Sequence, residues 1–272
     1  MKRAIASVLA LWCLAAPAAA RELTLDGNFV QGGLVFGHAA PGARVIFEGR
    51  ALRVSDTGEF LIGFGRDAGE RATLVVVWPD GESETRNVPV AARRWDIQRI
   101  DGLPERQVTP PPEEMARIKA EATLIAAARA RDTAAPFLRT GFVWPASGPV
   151  SGVYGSQRIL NGEPRQPHYG LDIAAPPGAP VVAAADGIVA LAHEGMFFTG
   201  KTLVLDHGFG LTSAYSHLSR IAVRIGQRVK QGQKVGEVGA TGRVTGAHLD
   251  WRVNLFDIRL DPALLLPPRP GN

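Results

Sequence analysis

The chain has 272 residues, of which 46% are hydrophobic and 21% charged, an ordinary globular balance that excludes a disordered or fibrous chain. Its formal charge of +4 is too small a bias to point to nucleic acid. With 31 glycines and 20 prolines, turns should be frequent and long helices few.

Residues 1–20 read as a secretory signal. Lys2 and Arg3 give the basic start, "AIASVLALWCLAAP" the apolar stretch, and "AAPAAA" the small-residue cleavage site before Arg21. The apolar run is short for a membrane anchor, which takes about 20 residues. Trp12 before Cys13 is unlike a lipoprotein cleavage site. Soluble export to the periplasm or beyond is therefore expected. Cleavage there removes Cys13, the one cysteine of the chain, so neither disulfides nor thiolate metal ligands are expected in the mature protein. No later segment has the length and apolarity to cross a bilayer.

Residues 21–103 alternate short apolar runs with turn residues. "ARVIFEG", "ALRVS", "GEFLIGF" and "ATLVVVW" are predicted strands, separated by "PGA", "SDTG" and "GRDAGE". This spacing predicts a small β-sandwich of immunoglobulin-like type. Residues 104–136 form a linker. The proline-rich "LPERQVTPPPEE" is followed by a helix, with Glu113 and Glu114 in its first turn and Arg129 and Arg131 near its end, as the helix dipole favours. Met115, Ile118, Ala122 and Ile125 mark an apolar stripe at helical spacing, expected to pack on a neighbouring domain or, as the alternative, to bind a partner. Residues 137–272 return to strands: "APVVAAADGIVALA", "KTLVLDHG", "LTSAYSHL", "QRVKQGQKVGEVG" and "HLDWRVNL".

Five of the six histidines lie in this last part. If "PHYGLDIAAP" is a strand, His168 and Asp172, at i and i+4, share a face; His248 and Asp250, at i and i+2, do so for the same reason. "AYSHLS" adds His217. Together these residues could supply three metal ligands and two free imidazoles, the minimum for a hydrolytic metal centre with an open position. His207, in "LDHGFG", is expected to shape a turn, and His38 and His193 to be structural or exposed. "ATGRVTG" lacks the Lys-Ser/Thr ending of a phosphate loop and precedes a strand, which excludes that reading.

The segments "HYGLDIAAPPGAPVVAAADGIV", "LVLDHGFGLTSAYSHLS", "GQRVKQGQKVGEVGATGRVTG" and "AHLDWRV", in that order, resemble the lysostaphin/LytM-type zinc endopeptidases of bacterial cell walls. The resemblance runs from about Val143 to Asp261. It implies an antiparallel β peptidase domain with His168, Asp172 and Asp250 as metal ligands and His217 and His248 as catalytic residues. It also implies Zn²⁺ as the metal and, as substrate, the exported polymer peptidoglycan at its cross-link peptides, which fits the signal segment and the expected lack of a membrane span. Asp250 stands where that family usually has histidine. Carboxylate is a legitimate zinc ligand, but its shorter reach asks for a strand shift or a bridging water. Two carboxylates and one imidazole formally neutralise Zn²⁺, leave bound water less acidic, and suit harder cations such as Mn²⁺. Two functions follow: a metal-dependent endopeptidase, or a weakened module that binds cell wall or activates another murein hydrolase. "ADGIVALA" and "GQRVKQGQKVGEV" also resemble parts of biotinyl/lipoyl carriers, but no lysine stands at a hairpin tip. The loop Ser156–His168 is expected either to rim the substrate groove, with Arg158 and Arg165 meeting peptide carboxylates, or to be a solvated loop; Tyr215 either lines the cleft or packs in the core.

Overall fold

The computed structural model describes residues 21–103, 105–134 and 141–269; the predicted signal segment 1–20 lies outside the described residues. The chain is mainly β, as expected. Among the described residues no helix is long and apolar enough to cross a membrane.

The first part contains β1 (Leu23–Gly27), β2 (Leu34–Ala39), β3 (Arg44–Phe47), β4 (Arg50–Leu52), β5 (Glu59–Gly63), β6 (Arg71–Val77) and β7 (Ser83–Pro89). They form two antiparallel sheets, β1-β2-β5 and β4-β3-β6-β7. Val35, Val45, Phe60, Ile62, Leu74 and Val76, drawn from both sheets, bury their side chains in one shared core. Alternation explains the pairing: on β6 the residues Ala72, Leu74 and Val76 are buried while Arg71 and Thr73 face out.

The next segment carries β8 (Ile97–Ile100), the one-turn α1 (Glu105–Val108) and α2 (Pro112–Arg129). Proline at the start of α2, Glu113 and Glu114 in its first turn and Arg129 in its last all favour helix there. The expected apolar stripe is only partly used. Met115 is 50% exposed and Ala122 is exposed, whereas Ala128 is buried against Leu191, Met196, Val204 and Ala214, with Ile125 half-buried beside them. The helix is held as much by polar contacts as by apolar ones. The Glu121 carboxylate accepts from Arg117 Nε (2.8 Å) and from the Phe197 N–H (2.7 Å), and Arg117 Nη2 donates to the Gly195 carbonyl (2.8 Å). A stripe read from spacing alone could not show that a carboxylate fixes the docking angle.

The last part holds β9 (Val150–Gly152), β10 (Gln157–Leu160), β11 (Glu163–Pro164), β12 (Leu171–Ala174), β13 (Pro180–Val182), β14 (Gly187–Met196), β15 (Gly200–Asp206), β16 (Leu211–Ile221), β17 (Arg228–Val229), β18 (Lys234–Val238), β19 (His248–Leu255) and β20 (Ile258–Leu260). Ten of these make one antiparallel sheet, ordered β17-β14-β15-β16-β19-β12-β9, with β13, β18 and β20 joined at its sides. Trp251, Tyr215, Leu203, Leu205 and Ile173 fill its core, and Leu34 and Leu61 of the first part belong to the same cluster. The segment Ser156–His168, expected as a loop, is instead a hairpin. Asn161 and Gly162 both take left-handed φ (49° and 84°) in the turn between β10 and β11, and β10 pairs in parallel with β8. Partners distant in sequence gave that strand its edge.

His207 is fully buried, as a turn-shaping residue would be. Its Nδ1–H donates to the Asp186 carbonyl (2.7 Å) and its Nε2 lies 2.7 Å from Ser213 Oγ. Burial pulls its pKa below the ordinary value. The unfolded chain therefore takes up a proton first, near pH ~6.5, so the contribution of this neutral histidine is complete above that pH and declines as pH falls through it. Urea midpoints are expected to fall more steeply on acidification in the wild type than in His207→Gln. Equal slopes for the two proteins would contradict this.

Candidate metal centre

The site is assembled by strand register. β12 and β19 pair antiparallel with Asp172 directly opposite Asp250, and Gly152 of β9 lies opposite Asp172 on the other side. Facing carboxylates repel one another, and such a cross-strand pair needs positive charge nearby. His248, two residues before Asp250 on β19, shares its face as expected. The strand spacing proposed for His168 does not hold. β12 begins only at Leu171, and His168 stands in the preceding loop, fixed by its N–H to the Ser156 carbonyl (2.8 Å). Its ring reaches the same point by loop geometry rather than by alternation.

His217 is brought in by a break in the strand. Ser216 pairs with Asp250, so regular alternation sends the next side chain to the opposite face. The left-handed φ of 65° at His217 and the register shift of β16 against β15 overturn that alternation. The His217 ring then packs 4.9 Å from that of His248, centroid to centroid.

All three rings are set in the same tautomer by backbone carbonyls. His168 Nδ1–H donates to Val153 O (3.2 Å), His217 Nδ1–H to Thr241 O (2.8 Å) and His248 Nδ1–H to Gly246 O (2.8 Å). Each therefore turns the Nε2 lone pair inward. His168 Nε2 lies 3.0 Å from Asp172 Oδ1 and 3.8 Å from Asp250 Oδ1. His217 Nε2 is 4.0 Å from Asp250 Oδ2, and His248 Nε2 is 3.8 Å from Asp172 Oδ1.

These residues fit a metal ion. Ligand atoms of His168, Asp172 and Asp250 lie within 4.8 Å of one another, and all three residues are buried. Among the described residues, His168 Nε2 and Asp172 Oδ1 are both buried without a hydrogen-bond partner. Two inward lone pairs facing each other in a buried place are costly unless a cation lies between them. The same demand raises the His168 pKa: burial opposes its charge, but Asp172 and Asp250 outweigh burial. Burial pushes His217 the other way, down to about 4, against the pull of Asp250, so its ring is neutral at pH 7.

Arginines, not foreseen as partners of the ligands, balance the carboxylates. Arg158 Nη2 lies 3.1 Å from Asp172 Oδ2, and its Nε donates to Gln98 Oε1 (3.2 Å). Arg252 grips Asp250, with Nη2 2.5 Å from Oδ2. Burial alone would raise the Asp250 pKa, but Arg252 and His168 overcome it and hold the group well below the usual carboxylate range. The sequence signal for the second pair was present: Asp250 and Arg252 are two apart on one strand and so share a face.

The glycine of "HYGLD" is explained by the same crowding. A Cβ on Gly170 would collide with Asp250 Oδ1 and stand 2.9 Å from Arg252 Cγ, and one on Gly152 would collide with Asp172 Oδ2. Gly170→Ala is expected to cost about 1–3 kcal/mol of stability by overpacking and to weaken metal binding in the same protein. Thermal melts with and without added Zn²⁺ check this; an unchanged variant would contradict the crowding.

The centre opens to a cavity of about 420 Å³, lined by His168, His217, Arg165 and Arg243 on one wall and by Ile118 and Glu121 of α2 on the other. A second space of about 150 Å³ adjoins Asp172, His217 and His248. Arg158 borders both, and Arg165 Nη2 is 3.2 Å from Thr109 Oγ1. Tyr215 lines neither. It is wholly buried, its hydroxyl accepts from the Ala184 N–H (2.9 Å), and it packs in the core, which is the packing alternative and not the cleft position. Its place on β16, opposite Trp251, turns it to the inner face of the sheet.

Comparison with known proteins bears on the same region. The description "Peptidase family M23" matches residues 166–262. A solved structure assigned to peptidase M23, from Pseudomonas aeruginosa, is 32% identical, covers 88% of this chain and 95% of its own, and superposes with a TM-score of 0.68. Peptidoglycan DD-endopeptidase ShyA of Vibrio cholerae is 42% identical over 87 residues, 32% of this chain and 20% of its own. Cell division protein DipM of Caulobacter vibrioides is 33% identical over 172 residues, 59% of this chain and 26% of its own. The matched part thus spans about a fifth to a quarter of the length of these two curated relatives.

Proposed function

The chain belongs to peptidase family M23, and from that premise we propose that it is a metal-dependent endopeptidase that hydrolyses amide bonds in peptidoglycan cross-link or stem peptides. The observation that carries this reading is the convergence of His168, Asp172 and Asp250 on one buried point, with the lone pairs of His217 and His248 beside it. The resident ion is Zn²⁺ in this reading, with Mn²⁺ accommodated by the two carboxylates. When bound, the ion supplies Lewis acidity toward the scissile carbonyl and the attacking water.

The chain's own residues do the rest. His168, Asp172 and Asp250 hold the ion. His217 is neutral at pH 7 with its Nδ1–H committed to Thr241, so its Nε2 is available to accept a proton from water. His248, tautomerically alike, stands across from it and serves the leaving amine or the developing oxyanion. Arg158 and Arg165, at the rim, suit the carboxylates of stem peptides. The site of action in this reading is the periplasm or cell exterior, after removal of residues 1–20.

A second reading, a module that binds cell wall or activates another hydrolase without cutting, is favoured by one observation. Helix α2 forms a wall of the groove over the centre and is pinned there through Glu121. Incubation of the purified, zinc-analysed protein with isolated peptidoglycan separates the two. Stoichiometric metal and new amine ends, both lost in Asp172→Ala, support the endopeptidase; stoichiometric metal without cleavage supports the second reading.

A further inference from the structure

This inference rests on the metal-dependent reading above and concerns how the ligand set is balanced. Asp250 brings a second negative charge to a centre that already contains Asp172. Two bare carboxylates would cancel the charge of a divalent ion and weaken its pull on water and carbonyl. The fold supplies a counterweight on the same strand. Arg252 Nε lies 2.9 Å from Asp250 Oδ1 and 3.1 Å from Oδ2, and Nη2 lies 2.5 Å from Oδ2. The pair is shielded, the Asp250 side chain being 2% and the Arg252 side chain 22% exposed. Asp172 is treated differently: Arg158 touches only its Oδ2, and Oδ1 is left unpartnered toward His168.

We propose that Arg252 is a positioning residue that makes the Asp250–Arg252 pair an electrically neutral ligand, so that Asp250 serves where an imidazole would without adding charge to the centre. Chemistry supports the division of labour. A carboxylate oxygen has two lone pairs, and Oδ1, which accepts one hydrogen bond from Nε, keeps another for a cation. The guanidinium suits the task because it is permanently charged and its planar fork matches a carboxylate. The crowding at Gly170 holds both partners in this arrangement. With that pair neutral, the remaining anionic ligand is Asp172, itself met at Oδ2 by Arg158 at 3.1 Å.

A consequence follows that a purely structural ion pair would not produce. Without the guanidinium, Asp250 becomes a full anionic ligand. It then holds a divalent ion more tightly and at the same time makes it a poorer Lewis acid. Conversely, histidine at position 250 with Arg252 retained leaves an unpaired cation beside the metal, which Coulomb repulsion opposes.

The test uses the full chain, stripped of metal and titrated with Zn²⁺ against a chromophoric chelator, with peptidoglycan digestion in parallel. Arg252→Met is expected to bind Zn²⁺ at least about tenfold more tightly than wild type while turnover falls at least about tenfold. Asp250→His is expected to bind Zn²⁺ at least about tenfold more weakly than the double variant Asp250→His/Arg252→Met. The second comparison stands even where Arg252→Met fails to fold, because the double variant leaves neither charge buried alone. Unchanged or weaker Zn²⁺ binding by a folded Arg252→Met, or equal binding by Asp250→His and the double variant, overturns the proposal and leaves the endopeptidase reading in place. No Zn²⁺ uptake by the wild type overturns both.

Discussion

Replacing His168 by alanine is expected to abolish stoichiometric metal binding and, with it, detectable release of amine ends from peptidoglycan. The residue is 1% exposed, its Nδ1 is spent on a backbone carbonyl, and among the described residues its Nε2 faces no partner other than the two carboxylates. Loss of a residue that merely orients a ligand costs about 10–100-fold in metal affinity or activity, so loss of the ligand itself should cost more than about a hundredfold. The fold should survive. Asp172 keeps Arg158 and Asp250 keeps Arg252, so no carboxylate is left buried without a cation. Metal analysis and thermal melts of the same preparation check the prediction. A His168→Ala protein that retains both zinc and activity would remove this residue from the centre.

The second large effect lies at His217. Its Nε2 lies 4.0 Å from Asp250 Oδ2 and it is outside the cluster of His168, Asp172 and Asp250, so His217→Ala should retain metal while losing about 10²–10⁴-fold in turnover, the usual worth of a general base. His217 also has a backbone φ of 65°, in the region that favours glycine. His217→Gly should therefore be as inactive as His217→Ala yet about 1 kcal/mol more stable, since only the alanine keeps the strained Cβ. Chemical denaturation of the pair reads the difference. Substantial activity in either variant would assign proton transfer elsewhere.

Much of this centre was legible in the chain. "HYGLD" and "HLD" put an imidazole and carboxylates at short spacings, and the order of the matching segments named the domain. Four of the N-terminal strands, β3 to β6, were also plain, whereas β1, β2 and β7 were not singled out. What escaped the sequence was tertiary. His168 reaches the centre from a loop rather than a strand, and His217 arrives only through a left-handed residue that reverses its face. Ser156–His168 became a hairpin because β8, nearly sixty residues earlier, lends it an edge. Tyr215 stands two residues before His217 on β16 yet faces the core. Arg252 was the nearest miss, since spacing alone put it beside Asp250.

The most direct measurement is a crystal structure of the zinc-loaded full chain, with the metal located by anomalous scattering at the zinc edge. The ion is predicted within coordination distance, about 2.0–2.2 Å, of His168 Nε2, Asp172 Oδ1 and Asp250 Oδ1, with Arg252 still on Asp250. An ion bound away from these atoms, or one held by His168 and Asp172 while Asp250 stays with Arg252 out of reach, would contradict the ligand set.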